Sequence, residues 1–235
     1  MTKEYVIGLD IGTTSVKACV FDLNGKLIAE VEKMNKFHYQ QQGWAEQDVL
    51  EIERFAVHAV RDVIKKAEIK KDELISIGFS AAMHSLVCVN NEGKPISPAI
   101  IWSDGRSYSQ AENILNIMGN QAYTATGTPI HPMTPFSKLL WMKETEYEPY
   151  KQAKYFMSIK EYVLESWFNV RIIDYSMASA TGLFNPKTLD WEEDLLELSG
   201  ISREQLSEIV PPTHILNGIN KKISEEMGIP SDLPI

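Results

Sequence analysis

Little in this sequence belongs to a secreted, membrane-spanning or nucleic-acid-binding protein. Two cysteines in 235 residues, Cys19 and Cys88, are too few for a disulfide framework or a cysteine-rich metal site. Each lies in an apolar run, "KACVF" and "LVCVN", where a buried, inert thiol in a reducing compartment is expected. Positive charge is also scarce: 23 Lys and Arg stand against 32 Asp and Glu, a formal net charge of -9. The two signs are interspersed, so no basic surface speaks for nucleic acid or an anionic membrane. No apolar run approaches the roughly 18 residues that span a bilayer, and "MTKEYVIG" lacks the basic, apolar and cleavage-site regions of a leader. The expected setting is cytoplasmic, with small-molecule partners. Internal repeats, low-complexity tracts and flexible linkers are missing too, which predicts one continuous domain.

What is present is enough apolar material for a proper core, 44% of the residues. Residues 5 to 37 pattern as three strands in a meander, with Asn24-Gly25 as the turn between the second and third. Between Asp48 and Ala67, Val49, Ile52, Phe55, Ala56, Ala59, Val60, Val63 and Ile64 recur at the spacing of a helix with one buried face. Three strand-like runs follow, "LISIGFSA", "SLVCVN" and "PAIIWSD", and the order strands, helix, strands predicts an open α/β sheet. Beyond Asp104 helices are expected at 105–119, 134–145, 158–168 and 191–199, joined by Pro-bearing loops such as "GTPIHPMTP". A further extended stretch begins at "VPPTHILNGIN", and the closing "LPI" reads as the start of a strand.

The first apolar run, "YVIGLDIGTTSVKACVFD", contains one carboxylate, Asp10. Buried among Val6, Ile7, Leu9 and Ile11 and left unpaired it would cost several kcal/mol, so it needs a partner or water. One reading is a hairpin turn, since Asp and Gly suit turns for backbone reasons alone. The other is a phosphate site, in which Gly12, Thr13 and Thr14 present backbone N–H groups and hydroxyls to an anion. Asp10 at the strand end would then face Mg²⁺, a hard cation that takes carboxylate oxygens and keeps several waters.

Three stretches stand together: "GLDIGTTSVKACVFD", "GFSAAMHSLVCV" and "AIIWSDGRS". With "TGTPIHPMTPFSKLLWMKE" and "DYSMASATGLFNPKTLDWEEDLLELSGI" they resemble, in order and over essentially the whole chain, the FGGY family of carbohydrate kinases. The resemblance implies an α/β fold of the actin-like, ribonuclease-H-like type: a mixed sheet with flanking helices and a helical insertion, in a protein whose two domains close on ATP and sugar. Family members are about twice this length, so residues 1–235 are expected to be the N-terminal, sugar-binding domain, without the C-terminal nucleotide-binding domain. Within the family, "AMHS", "TGTPIHP" and "SIKEYV" are most similar to members acting on gluconate, and "WSDGR" leans toward those acting on xylulose. The implied reaction is transfer of the γ-phosphoryl of ATP to a hydroxyl of gluconate.

The resemblance also implies site residues. Asp10 would act on Mg²⁺ through water, with Gly12, Thr13 and Thr14 near the transferred phosphate and Lys17 adding positive charge. Met83 and His84, otherwise a core methionine and a strand-end histidine, match the family's Met-His substrate contacts. Trp102 would wall the sugar rather than only fill the core. Asp104 would ligate a hydroxyl with Arg106 as its support, or else the two pair at the start of the following helix. A sugar acid needs a cation or donors for its carboxylate, which His84, Arg106 and His131 offer. Trp191 and Lys138 read as scaffold. The catalytic base is expected in a Gly-rich turn beyond Ile235; Asp232 precedes that strand and is not assigned. "GLDIGTTS" alone would also fit an actin-like or chaperone-type ATPase, which "AMHS" and "WSDGR" argue against; a sugar-binding module without catalysis, or a homodimer, fits the same residues.

Overall fold

The computed structural model describes residues 4–235. Its centre is a mixed four-stranded sheet built from β1 (Tyr5–Ile11), β2 (Ser15–Asp22), β3 (Leu27–Met34) and, after an excursion, β5 (Leu74–Ala81). The order is β3-β2-β1-β5, with β1 antiparallel to β2 and parallel to β5. Period-2 alternation explains the two faces: Ile7, Leu9 and Ile11 of β1 and Val16, Ala18 and Val20 of β2 are buried. The Asn24-Gly25 turn forms as expected, with Gly25 at φ +79° and the Asp22 carboxylate accepting from the Asn24 and Lys26 N–H groups. A two-residue strand, β4 (Glu46–Gln47), precedes α1 (Val49–Ala67). α1 lays Ile52, Ala56, Val60 and Val63 on the buried face of the sheet, and each such fully buried Val or Ile contributes about 1.5–3 kcal/mol relative to exposure. Asp48 caps it, accepting from Leu50 and Glu51 N–H.

The runs "SLVCVN" and "PAIIWSD" do not extend this sheet. β6 (Val87–Val89) pairs with β8 (Tyr155–Met157), and β7 (Ala99–Ile100) with β4. Between β7 and β8 lie α2 (Tyr108–Met118), α3 (Gln121–Thr126), α4 (Pro135–Glu144) and α5 (Glu148–Gln152). After β8 come α6 (Ile159–Phe168), β9 (Ile172–Asp174), α7 (Tyr175–Ala180) and the hairpin β10 (Phe184–Asn185) and β11 (Asp190–Trp191). The chain closes with α8 (Glu193–Ser199), β12 (Glu208–Val210) and α9 (Lys221–Met227). The helical part has its own core around Phe136, Leu139, Met142, Leu183 and Trp191. Trp191 fills it from a strand rather than from the expected helix over 191–199. "LPI" lies against the sheet: Ile77 N–H donates to the Pro234 carbonyl, and Leu216 and Ile235 exchange both backbone bonds.

Both cysteines are free; Cys88 is buried, which pushes its thiol up to about 12, and Cys19 is half-buried. Among the described residues no helix is long and apolar enough to cross a membrane.

Candidate functional site

Parallel pairing of β1 with β5 brings their C-terminal ends to one edge of the sheet, where open α/β sheets bind ligands. Ile11 is paired with Ala81, and the Ala82 N–H donates to the Ile11 carbonyl at 2.8 Å. Gly12-Thr13-Thr14 and Met83-His84 therefore start from the same point. Asp10 is exposed, with no hydrogen-bond partner among the described residues, so water satisfies it and the cost of burial does not arise. Its cross-strand neighbour is Lys17, half-buried on β2.

The turn after β1 is held from behind. Asn35 Nδ2 donates to the carbonyls of Gly12 (2.9 Å) and Thr13 (3.2 Å), Gln47 Nε2 donates to Thr13 (2.8 Å), and Asn35 N–H to Thr14 (2.9 Å). All three carbonyls are thus engaged by the protein, while the N–H groups of Gly12, Thr13 and Thr14 have no backbone acceptor outside the strand ladders among the described residues. A Cβ on Gly12 would stand 2.9 Å from the Ser15 carbonyl oxygen, so the turn requires glycine.

Trp102 joins this turn from 89 residues away: its Nε1–H donates to Thr13 Oγ1 at 3.0 Å, and half of the side chain remains exposed. Met83, two residues past the end of β5, is 45% exposed, not a core methionine. His84 adopts φ +66°, a left-handed conformation that costs an L-residue about 1–2 kcal/mol. Its Nδ1 lies 2.7 Å from the Ala180 carbonyl, which only accepts, so Nδ1 carries the proton and Nε2 keeps its lone pair. Burial, then the nearby Lys138 and His131, lowers its pKa, so the ring is neutral at pH 7. His131 is exposed and its Nδ1 accepts from Met133 N–H.

The "WSDGR" segment divides. Trp102 faces out, whereas the side chains of Asp104 and Arg106 have no exposed surface. Asp104 Oδ1 accepts from Arg106 N–H and Nε, and Oδ2 from Ala45 N–H and Arg106 Nη2. Arg106 also reaches Glu46 at 2.7 Å and lies over the Trp44 ring at 3.8 Å. With its lone pairs spent, Asp104 is not placed to ligate a hydroxyl, nor Arg106 to face a carboxylate; their pairing before α2 is what forms. Sequence reasoning missed Asn35, Trp44, Glu46 and Gln47, because each acts on a partner far along the chain and none sits in a recognisable pattern.

Lys138, read as scaffold, is completely buried on α4 and donates from Nζ to the carbonyls of His84, Ile100 (3.3 Å), Ile101 (3.0 Å) and Met133 (2.9 Å). Burial pulls its ammonium down to about 7, opposed by Asp104 and reinforced by Arg106. Asp232 precedes by two residues Pro234, whose carbonyl accepts from Ile77 N–H, four residues back along β5 from Ala81 and about 13 Å from this edge at strand rise. The groove along Asn91, Arg171, Arg203 and Val210 contains none of these residues.

The model of the N-terminal domain of the FGGY family of carbohydrate kinases matches residues 5–235. This chain belongs to the FGGY family of carbohydrate kinases. It is 39% identical to a gluconokinase of Bacillus subtilis over 232 residues, covering 98% of this chain and 45% of the relative. It is 30% identical to a xylulose kinase of Staphylococcus epidermidis, covering all of this chain and 47% of the relative. The crystal structure of a gluconate kinase from Lactobacillus acidophilus superposes with a TM-score of 0.94 at 34% identity, over 99% of this chain and 47% of that one. The chain thus spans about half the length of the FGGY relatives it matches. Its mixed sheet with flanking helices is the actin-like fold of these kinases.

Proposed function

We propose that the protein transfers the γ-phosphoryl group of ATP to a hydroxyl of gluconate, giving 6-phosphogluconate and ADP. The observation that carries the reading is the convergence of Thr13, Met83, His84 and Trp102 on one open edge of the sheet, in a chain similar to gluconokinases. The hydroxyl oxygen forms the new P–O bond, the bond to the ADP oxygen breaks, and the hydroxyl proton goes to a base. No residue of this chain is assigned as that base; it is proposed to lie in a second, nucleotide-binding domain beyond Ile235.

Within this chain the roles follow from chemistry. His84 Nε2 accepts from a sugar hydroxyl, and Trp102 and Met83 offer apolar surface to the carbon skeleton. The N–H groups of Gly12 to Thr14 and the Lys17 ammonium face phosphate oxygens. Asp10 fits a magnesium ion, being a free exposed carboxylate with no cluster of three metal-ligating side chains among the described residues; Mg²⁺ typically takes one or two carboxylates and keeps its waters. When bound, Mg²⁺ supplies positive charge to the phosphate oxygens. With Arg106 spent internally, His131, whose Nδ1 accepts from Met133 N–H, has an Nε2–H donor to offer a carboxylate.

Xylulose is the second reading, favoured by "WSDGR" and by the 30% identical xylulose kinase. A coupled ADP-release assay of the full-length protein across sugar acids, ketoses and polyols separates the two. The expected result is the highest kcat/KM on gluconate and a kcat at least a hundredfold lower in Asp10→Asn with unchanged circular dichroism, within the roughly 10²–10³ range for losing one electrostatic contact. Higher kcat/KM on xylulose overturns the substrate; an active Asn variant returns Asp10 to a turn role.

A further inference from the structure

We infer that Lys138 is the positioning residue of the acceptor site: its single buried ammonium sets the relative placement of the three chain segments that carry His84, Trp102 and His131. The inference rests on the reading of this edge as the sugar site. The three segments leave different parts of the fold, after β5, after β7 and before α4, and Lys138 Nζ hydrogen-bonds all of them: His84 on the first, Ile100 and Ile101 on the second, Met133 on the third. No other side chain among the described residues does so. The Asp104–Arg106 pair fixes the Trp102 segment to β4 and to Ala45 just before it, but reaches neither His84 nor Met133.

The geometry is specific to an ammonium. Ile100 and Ile101 have other donors for their carbonyls, Leu86 and Asp104 N–H, but the carbonyls of His84 and Met133 have no donor except Lys138 among the described residues. The ammonium brings three N–H donors to these four acceptors, so at least one donor is shared, whereas a neutral amine would bring only two. The His84 carbonyl belongs to the residue held at φ +66°, so fixing that carbonyl also fixes the ring against Ala180.

A purely structural role explains the residue poorly. Lysine is almost never fully buried unless paired, and Lys138 makes no ion pair with any described carboxylate. A methionine of similar length would fill the same space inside α4, where Phe136, Leu139 and Met142 are already buried, without the cost of desolvating a charge. What methionine cannot supply is one point from which three segments are held.

The test is Lys138→Met beside His84→Ala in the full-length protein, with KM for gluconate, KM for ATP, kcat and thermal unfolding measured for each. His84→Ala is expected to raise KM for gluconate at least tenfold. Lys138→Met is expected to do the same while remaining cooperatively folded and leaving KM for ATP within about threefold. If His84→Ala changes nothing, this edge is not the sugar site and both readings fall. If His84→Ala acts but Lys138→Met only lowers thermal stability, the positioning role alone is overturned. Should Lys138→Met not fold, wild-type protein carrying ¹⁵N-labelled lysine decides: the protected Nζ resonance contacting Ile100 and Met133 is expected to shift on saturation with gluconate, and its indifference would sink the proposal.

Discussion

His84 concentrates the residue-scale chemistry, because backbone strain, tautomer and charge are set by different neighbours. Histidine is among the residues that reach the left-handed region, and here the conformation aims Nδ1–H at Ala180 while leaving Nε2 unpartnered. Burial lowers its pKa below the ordinary 6.5, so the unfolded chain binds a proton more readily in the window just below that value. The contribution of His84 to stability is therefore complete above about pH 6.5 and is lost as pH falls through the lowered folded value. The buried Glu161, whose pKa is raised by desolvation, works in the opposite sense, so the effect must be read as a difference between proteins. His84→Asn keeps a residue tolerant of positive φ and removes the titration. Its Tm is expected to fall less than that of wild type between pH 7 and pH 5; parallel curves would place the ring in a solvent-like setting. The motif around Met83-His84 was legible in sequence, but the positive φ was not, since it depends on a carbonyl 96 residues away and on Lys138.

Elements were legible where their signal is local. α1 declares itself by periodicity and the Asp48 cap, and α6 by Ser158 and Glu161, a capping box in "SIKEYV". α2 begins at Tyr108 rather than at residue 105 because Asp104 and Arg106 use the intervening backbone for their own bonds. The short helices α3, α5, α7 and α9 escaped, each having too few turns to develop a stripe, and β6 and β7 left the main sheet because pairing partners are chosen in three dimensions. The α6 box bears on the site, since Ile159 N–H at its start is held by Ser85 Oγ, next to His84. Ser158 Oγ accepts from Glu161 N–H at 3.2 Å and Glu161 returns a bond to Ser158 N–H at 2.7 Å. Ser158→Ala is expected to cost about 1 kcal/mol, or roughly 2–4 °C in Tm for a domain of this size, and Ser158→Thr to recover most of it. Equal Tm values for the Ala variant and wild type would show that the Glu161 half of the box suffices.

At the scale of the whole molecule, two cores meet at the candidate site. One lies between the sheet and α1, the other inside the helical insertion, and the chain crosses between them through the segments gathered by Lys138. Both cores close without any other chain, so residues 1–235 expressed alone are expected to be soluble and to unfold cooperatively. The edge carrying Thr13, Met83 and Trp102 is an open face, and phosphoryl transfer depends on in-line positioning and on a base, which the proposed function places in a second domain. Losing general-base help alone costs about 10²–10⁴-fold, and losing the opposing wall of the cleft removes the orientation that makes the reaction unimolecular. The isolated chain is therefore expected to show weak gluconate binding by calorimetry, ATP binding at or below detection, and no sugar-dependent ADP release. Light scattering should also register dimers, because half-exposed Met83 and Trp102 leave apolar surface on that face. Sugar-dependent ATP turnover by the purified 235-residue chain, at a rate that scales with its concentration and survives removal of any longer species, would mean that the base lies within these residues after all, with the exposed Asp10 the first carboxylate to test.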